Sequence, residues 1–126
     1  MYYTTRENET MEEAVVRLLV KNKLTVTTVE SCTGGMIASK IVNVAGASEV
    51  FNQGFVTYSN KAKRKMVGVG KNTLKKYGAV SEPTAREMAA GGAEEADAEA
   101  AVAVTGIAGP DGGTDEKPVG LVYILS

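Results

Sequence analysis

Three short stretches of this chain combine groups able to attack, activate or bind. TVESCTGG, Thr28 to Gly35, ends a β-branched run in a hydroxyl (Ser31), a thiol (Cys32) and two glycines. Where a strand hands over to a helix, unpaired backbone N–H groups can hold an anion or steady an oxyanion forming beside the serine Oγ. Gly34 and Gly35 let a ligand approach the backbone with no Cβ in the way. The same residues also fit a plain turn in which Ser31 or Thr33 caps the helix. No Gly-Lys-Ser/Thr follows, so the pattern is not a P-loop. Cys32 is the rival nucleophile, activated at a helix start, or else a small apolar filler.

The chain contains no histidine. Serine–histidine and cysteine–histidine pairs are therefore excluded within one chain, and a general base has to be Lys, Tyr, Asp or Glu. TYSNKAKRK, residues 57–65, offers Tyr58 at the end of an expected strand and Lys63 in the first turns of a helix. Bringing a lysine from its ordinary value near 10.4 to neutrality requires about 4 kcal/mol, and burial beside Lys61, Arg64 and Lys65 pushes that way. The alternative is a solvated basic helix face. In TGIAGPDGG, Thr105 follows an apolar run, and Gly106, Gly109 and two further glycines make a loop of possible anion-binding N–H groups or an ordinary connector. Glu30 and Asp111 could orient the lysine, although lone carboxylates of this kind are expected in solvent.

The elements that position these stretches are readable. Thr10 to Glu13 is a capping box, and Met11, Val15, Leu18 and Leu19 form an apolar stripe on a helix ending at Asn22. Strands are expected at Leu24–Val29, Phe55–Tyr58, Ala101–Thr105 and Val119–Leu125. Helices are expected from Ile37 to Val44, from Ser59–Asn60 to Met66, from Asn72 to Tyr77, and from Ser81, a good N-cap, to about Ala96. Ala85, Met88, Ala89 and Gly92 share one face of the last. This alternation predicts an α/β layered domain around a mixed sheet, with Ser31, Tyr58 and Thr105 at strand ends facing one cleft. Residues 1–9 read as a flexible arm and 10–126 as one domain.

Composition narrows the function classes. The 126 residues carry a formal net charge of -1, which provides no general field for nucleic acid or an anionic membrane. No apolar run approaches the ~20 residues of a membrane span. A single cysteine excludes an internal disulfide framework and suits a reducing cytoplasm.

ESCTGG at 30–35, GFVTYSNKAK at 54–63, GAVSEP at 78–83 and TGIAGPDGGTDEKPVG at 105–120 together resemble the CinA C-terminal-domain family, the nicotinamide-nucleotide amidohydrolases. The resemblance runs from about Met11 to the last residue. It implies conversion of nicotinamide mononucleotide to nicotinic acid mononucleotide and ammonia by a Ser–Lys site, with no metal or organic cofactor. Motif by motif, the catalytic set is Ser31, Tyr58 and Lys63, with Lys61 on a variable position. The expected substrate-binding set is Cys32, Thr33, Gly34, Gly35, Thr105, Gly106 and Gly109. Family members continue past PVGLVYILS with a strand, an arginine-bearing loop and a closing helix, so the residue holding the substrate phosphate is left open. The larger domain often fused ahead of this one is absent from the sequence, implying a stand-alone form. The competing expectation is a nucleotide-binding or assembly module of the same fold with weak turnover. A third is an amidase for another small amide. A cytoplasmic homo-oligomer is expected, without nucleic-acid or membrane partners.

Overall fold

The structure, a computed structural model, describes residues 5–125. Strand β1 (Val26–Glu30) is central and buried along its whole length. β2 (Phe55–Val56) and β3 (Ala100–Gly106) flank it in parallel, and β4 (Val122–Leu125) adds antiparallel to β3, giving the order β2-β1-β3-β4. A strand buried on both faces needs a helical layer on each. On the face carrying Val26, helices α1 (Met11–Asn22) and α2 (Met36–Val42) close a core of Val16, Leu19, Ile41, Ala47 and Val50. On the face carrying Val29, helices α3 (Asn60–Val67) and α5 (Glu82–Ala96) close a second core around Phe55, Val67, Met88 and Ala103. Helix α4 (Lys71–Tyr77) lies beside α5 on the same side. This is the expected α/β/α layering around a mixed sheet.

The local signals hold where chemistry is local. Thr10 and Glu13 form the reciprocal capping box of α1, Ser59 caps α3, and Ser81 caps α5 through the Thr84 N–H. Two expectations change. Of the α1 stripe Met11, Val15, Leu18 and Leu19, only Leu19 is buried, and Met11 is 74% exposed. Helix α1 is apolar on more than one side, and its packing against α2 selects Ala14, Val16 and Leu19 instead. The expected arm is tied down in its later part: Glu9 is paired with Arg17 at 2.8 and 3.0 Å, and residues 1–4 lie outside the described residues.

Helix α5 comes close to its neighbours at two glycines. A Cβ on Gly91 would collide with the Val67 carbonyl, and one on Gly92 with a Val29 methyl. Alanine improves helix propensity over glycine by about 1 kcal/mol. Overpacking against a backbone atom costs about 1–3 kcal/mol or more, so the clash outweighs the propensity. Gly91→Ala is expected to lower unfolding stability by about 2 kcal/mol, read as a fall in the urea midpoint at unchanged m-value.

Candidate active site

Three parallel strands end on the same edge of the sheet, and each carries a polar residue at or just beyond its end. Glu30 pairs with Val56 on one side and Val104 on the other, so Ser31, Thr57 and Thr105 emerge side by side. The Ser31 N–H donates to the Val104 carbonyl at 3.0 Å, which continues the sheet one residue into the loop. Ser31 is thus placed by the backbone ladder and not by a flexible turn.

Lys63 enters from α3. Helical side chains lean toward the helix N-terminus, so a long residue in the second turn reaches back over the preceding strand end. Its Nζ donates to the Ser31 Oγ at 3.0 Å, the Thr57 carbonyl at 2.8 Å and the Tyr58 carbonyl at 3.1 Å. The residue is 1% exposed, whereas Lys61, Arg64 and Lys65 around it point outward. The expected strand through Tyr58 is cut to Phe55–Val56 because the next two carbonyls turn to the amine.

Burial pushes the Lys63 amine below its ordinary value, opposed only by the nearby Cys32 thiol, whose charged form would pull it back up. Among the described residues no carboxylate bonds to it. A neutral amine has two N–H donors and one lone pair. On loss of the third hydrogen the other two stay on the Thr57 and Tyr58 carbonyls, and the bond to Ser31 reverses, the lone pair accepting from the serine hydroxyl. The arrangement fits a general base acting on serine. While the ammonium donates to it, the Ser31 hydroxyl directs its own hydrogen to the Tyr58 carbonyl at 3.4 Å.

Ser31 and Lys63 open into a cavity of about 320 Å³ whose walls include Cys32, Tyr58, Thr105, Gly106, Gly109 and Asp111. Ala79 and Val80 complete it, held in place by the Thr105 hydroxyl, which donates to the Ala79 carbonyl at 2.9 Å. Of the expected residues, Ser31, Cys32, Tyr58, Lys63, Thr105, Gly106 and Gly109 therefore share one space. Tyr58 touches Lys63 through its carbonyl, and the residue as a whole is 74% exposed. Thr33, Gly34 and Gly35 do not line the cavity. The Thr33 hydroxyl and the Gly35 N–H donate to Glu30, and the Gly34 N–H to the Ser31 carbonyl. Of the loop donors expected to face an oxyanion, the Cys32 and Thr33 N–H groups are the two without an acceptor among the described residues. A larger groove of about 650 Å³ runs between α1 and the segment after α2, but it holds no nucleophile–base pair.

Glu30 corrects the expectation of a solvent-exposed carboxylate: it is fully buried. Burial pushes its carboxyl up. Hydrogen bonds from the Thr33 hydroxyl and the Ile37, Ala38 and Gly35 N–H groups outweigh that and hold it below the usual range. Asp111 is exposed at the cavity wall, as expected. The sequence signal for Glu30 was an acid directly ahead of a helix whose own N-cap, Gly35, has no side chain to offer.

The two buried ionisable groups make pH predictions of the same sign in two different windows. Lys63 binds its proton less tightly folded than unfolded, so its contribution to stability rises as pH climbs from the folded value toward about 10.4. The unfolding free energy of the wild type minus that of Lys63→Met is expected to increase over that interval. Glu30 binds its proton less tightly when folded, so its contribution is full above the unfolded carboxylate range and is lost as pH falls through the lowered folded value. Glu30→Gln is expected to flatten the acid side of the stability curve. Urea titrations across pH measure both.

The comparisons place this geometry in a family. The model of the CinA C-terminal domain matches residues 8–126. A CinA-like protein of Kosmotoga olearia is 62% identical over 116 residues, 92% of this chain and 28% of that protein. A Clostridium beijerinckii relative named for competence-damage inducibility is 60% identical over 118 residues, 94% of this chain and 29% of its own length. The chain thus spans less than a third of these curated relatives. The solved CinA superfamily protein of Escherichia coli superposes with a TM-score of 0.88 at 38% identity, covering 97% of this chain and 73% of that one. The competence/damage inducible protein CihA of Agrobacterium tumefaciens gives 0.83 at 48% identity, covering 98% and 75%. With its fold, its motifs and its strand-end loops all in agreement, this chain belongs to the CinA C-terminal domain family.

Proposed function

We propose that the protein is a nicotinamide-nucleotide amidohydrolase in which Lys63 and Ser31 form the catalytic pair. The observation that carries this reading is the 3.0 Å contact between a fully buried, carboxylate-free amine and a serine hydroxyl that opens into a cavity. Neutral Lys63 takes the Ser31 proton as Oγ attacks the carboxamide carbon. The unpaired N–H group of Cys32, which lines the cavity, stabilises the oxyanion. The proton passes from the Lys63 ammonium to the departing nitrogen, with the Tyr58 hydroxyl assisting, and ammonia leaves. Water then attacks the acyl-serine ester, gives a proton to Lys63, and the Ser31 hydroxyl is regenerated as the acid product departs.

An anionic substrate is supported by the local charge. Between Val50 and Ser81 the chain has seven Lys or Arg and no Asp or Glu. The exposed Lys61, Arg64 and Lys65 of α3 and Lys75 and Lys76 of α4 lie within a few positions in sequence of the cavity residues Tyr58, Lys63, Ala79 and Val80. None of them is in an ion pair among the described residues. Raising salt should weaken recruitment of the phosphorylated nucleotide, because the Debye length at physiological ionic strength is about 8 Å. The KM for nicotinamide mononucleotide is expected to rise several-fold between low and high salt, with that for nicotinamide riboside nearly constant.

The central test is ammonia release from nicotinamide mononucleotide. Ser31→Ala, Lys63→Met and Lys63→Arg are each expected to lower kcat by about a thousandfold or more, arginine failing because it stays charged. Wild-type kcat/KM should rise with pH as Lys63 loses its proton. Wild-type turnover in any of the three variants would refute the catalytic pair. Calorimetric binding of the nucleotide without ammonia release would instead support the binding-module reading.

A further inference from the structure

Glu30 is a buried carboxylate that the mechanism above leaves unused. Its Oε1 accepts from the Thr33 hydroxyl at 2.7 Å, the Gly35 N–H at 3.2 Å and the Ile37 N–H at 2.9 Å. Its Oε2 accepts from the Ala38 N–H at 3.0 Å. All four donors lie beyond Ser31 in the chain, so the side chain spans the turn that carries the nucleophile. The Glu30 backbone is fixed separately, its carbonyl accepting from the Thr57 N–H at 2.8 Å. Ser31 is therefore held from both directions: by the sheet before it, through Val104, and by the carboxylate after it.

The turn needs that brace. Gly34 and Gly35 sit at φ of 61° and 107°, a conformation glycine tolerates without preferring. Helix α2 has no side-chain cap of its own, and Glu30 supplies one from the preceding strand. The Gly35, Ile37 and Ala38 N–H groups are consumed by it, so only the Cys32 and Thr33 groups nearer the nucleophile stay open. Glu30 makes no hydrogen bond to Ser31 Oγ or Lys63 Nζ, so it acts through the loop.

We propose that Glu30 is a positioning residue whose buried carboxylate closes residues 31–38, keeping the Ser31 Oγ at hydrogen-bond distance from Lys63 and the Cys32 N–H group open to the cavity. The proposal rests on the Ser31–Lys63 reading of the site. Glu30→Ala removes the carboxylate and keeps the donors. A displacement of about 1 Å at the reacting atoms costs on the order of a hundredfold. In Glu30→Ala, kcat for nicotinamide mononucleotide is expected to fall about a hundredfold with KM within about threefold. Labelling of Ser31 by a fluorophosphonate, in which the Oγ–P bond forms and fluoride leaves, is expected to slow by a similar factor. Formate at tens of millimolar, filling the emptied position, should restore both rates at least tenfold, a response that a general loss of stability does not give.

Thr33→Val deletes one donor and leaves the carboxylate, and is expected to slow labelling and kcat by about three- to tenfold. A folded Glu30→Ala with wild-type rates, or a loss that formate leaves untouched, overturns the proposal. Should Glu30→Ala not fold, unchanged labelling and kcat in Thr33→Val overturn it. Labelling needs no amide, so labelling of the wild type without ammonia release counts against the substrate assignment alone. Equal labelling of wild type and Glu30→Ala counts against Glu30.

Discussion

A primary amine in a protein interior either finds a counter-charge or gives up its proton more readily, and Lys63 has no carboxylate bonded to it among the described residues. Its surroundings are two backbone carbonyls and one hydroxyl. The carbonyls fix the direction of the side chain and the hydroxyl receives what remains. Much nearby structure follows from this. Strand β2 ends after two residues because the next carbonyls turn to the amine, and the short cap-and-turn at Ser59 brings α3 back over the strand end. The sheet edge and the first turn of α3 are shaped around one nitrogen.

The parallel arrangement of β2, β1 and β3 does the rest of the assembly. Parallel strands place their C-terminal ends together, so loops far apart in sequence meet without any long excursion. Ser31 and Thr57, just past β1 and β2, stand in register with Thr105 near the end of β3. The Thr105 hydroxyl then fastens the Ala79–Val80 wall, and the Lys117 Nζ fastens the Tyr77 carbonyl from the other end of the glycine-rich loop at 2.6 Å. Gly109, at φ 81°, stands where any side chain would strike Val119, which explains a glycine there on packing grounds as well as for ligand access.

Glu30 and Lys63 show how burial acts on opposite charges at one strand end. Both lose water. The carboxylate gains four donors and keeps its charge, while the amine meets only neutral oxygens and is pushed toward its neutral form. A nucleophile activated this way depends on an interior that treats the two groups differently. The rest of the charge is arranged on a larger scale. The overall near-neutrality hides a basic segment over α3 and α4, set beside an acidic stretch after Ser81.

Much was legible in the residues. The capping box at Thr10, the caps at Ser59 and Ser81, and the α/β alternation depend on neighbours within a few positions, and they appear as expected. The absence of histidine narrowed the base to Lys, Tyr, Asp or Glu, and the family motifs, not the spacing, singled out Lys63 as the partner of Ser31. What stayed hidden depends on contacts distant in sequence. The inward side of α1, with Val16 buried and Met11 exposed, is chosen by packing against α2, since hydrophobic spacing gives a period and not always a unique phase. Glu30 looked like a surface acid because its partners are backbone N–H groups, which no side-chain pattern displays. The sequence by itself determined the elements and the candidate groups, because those follow from local geometry and from side-chain chemistry. Only the tertiary structure decided which lysine of a basic run loses its water, and which carboxylate braces the turn, because desolvation is a property of everything packed around a group.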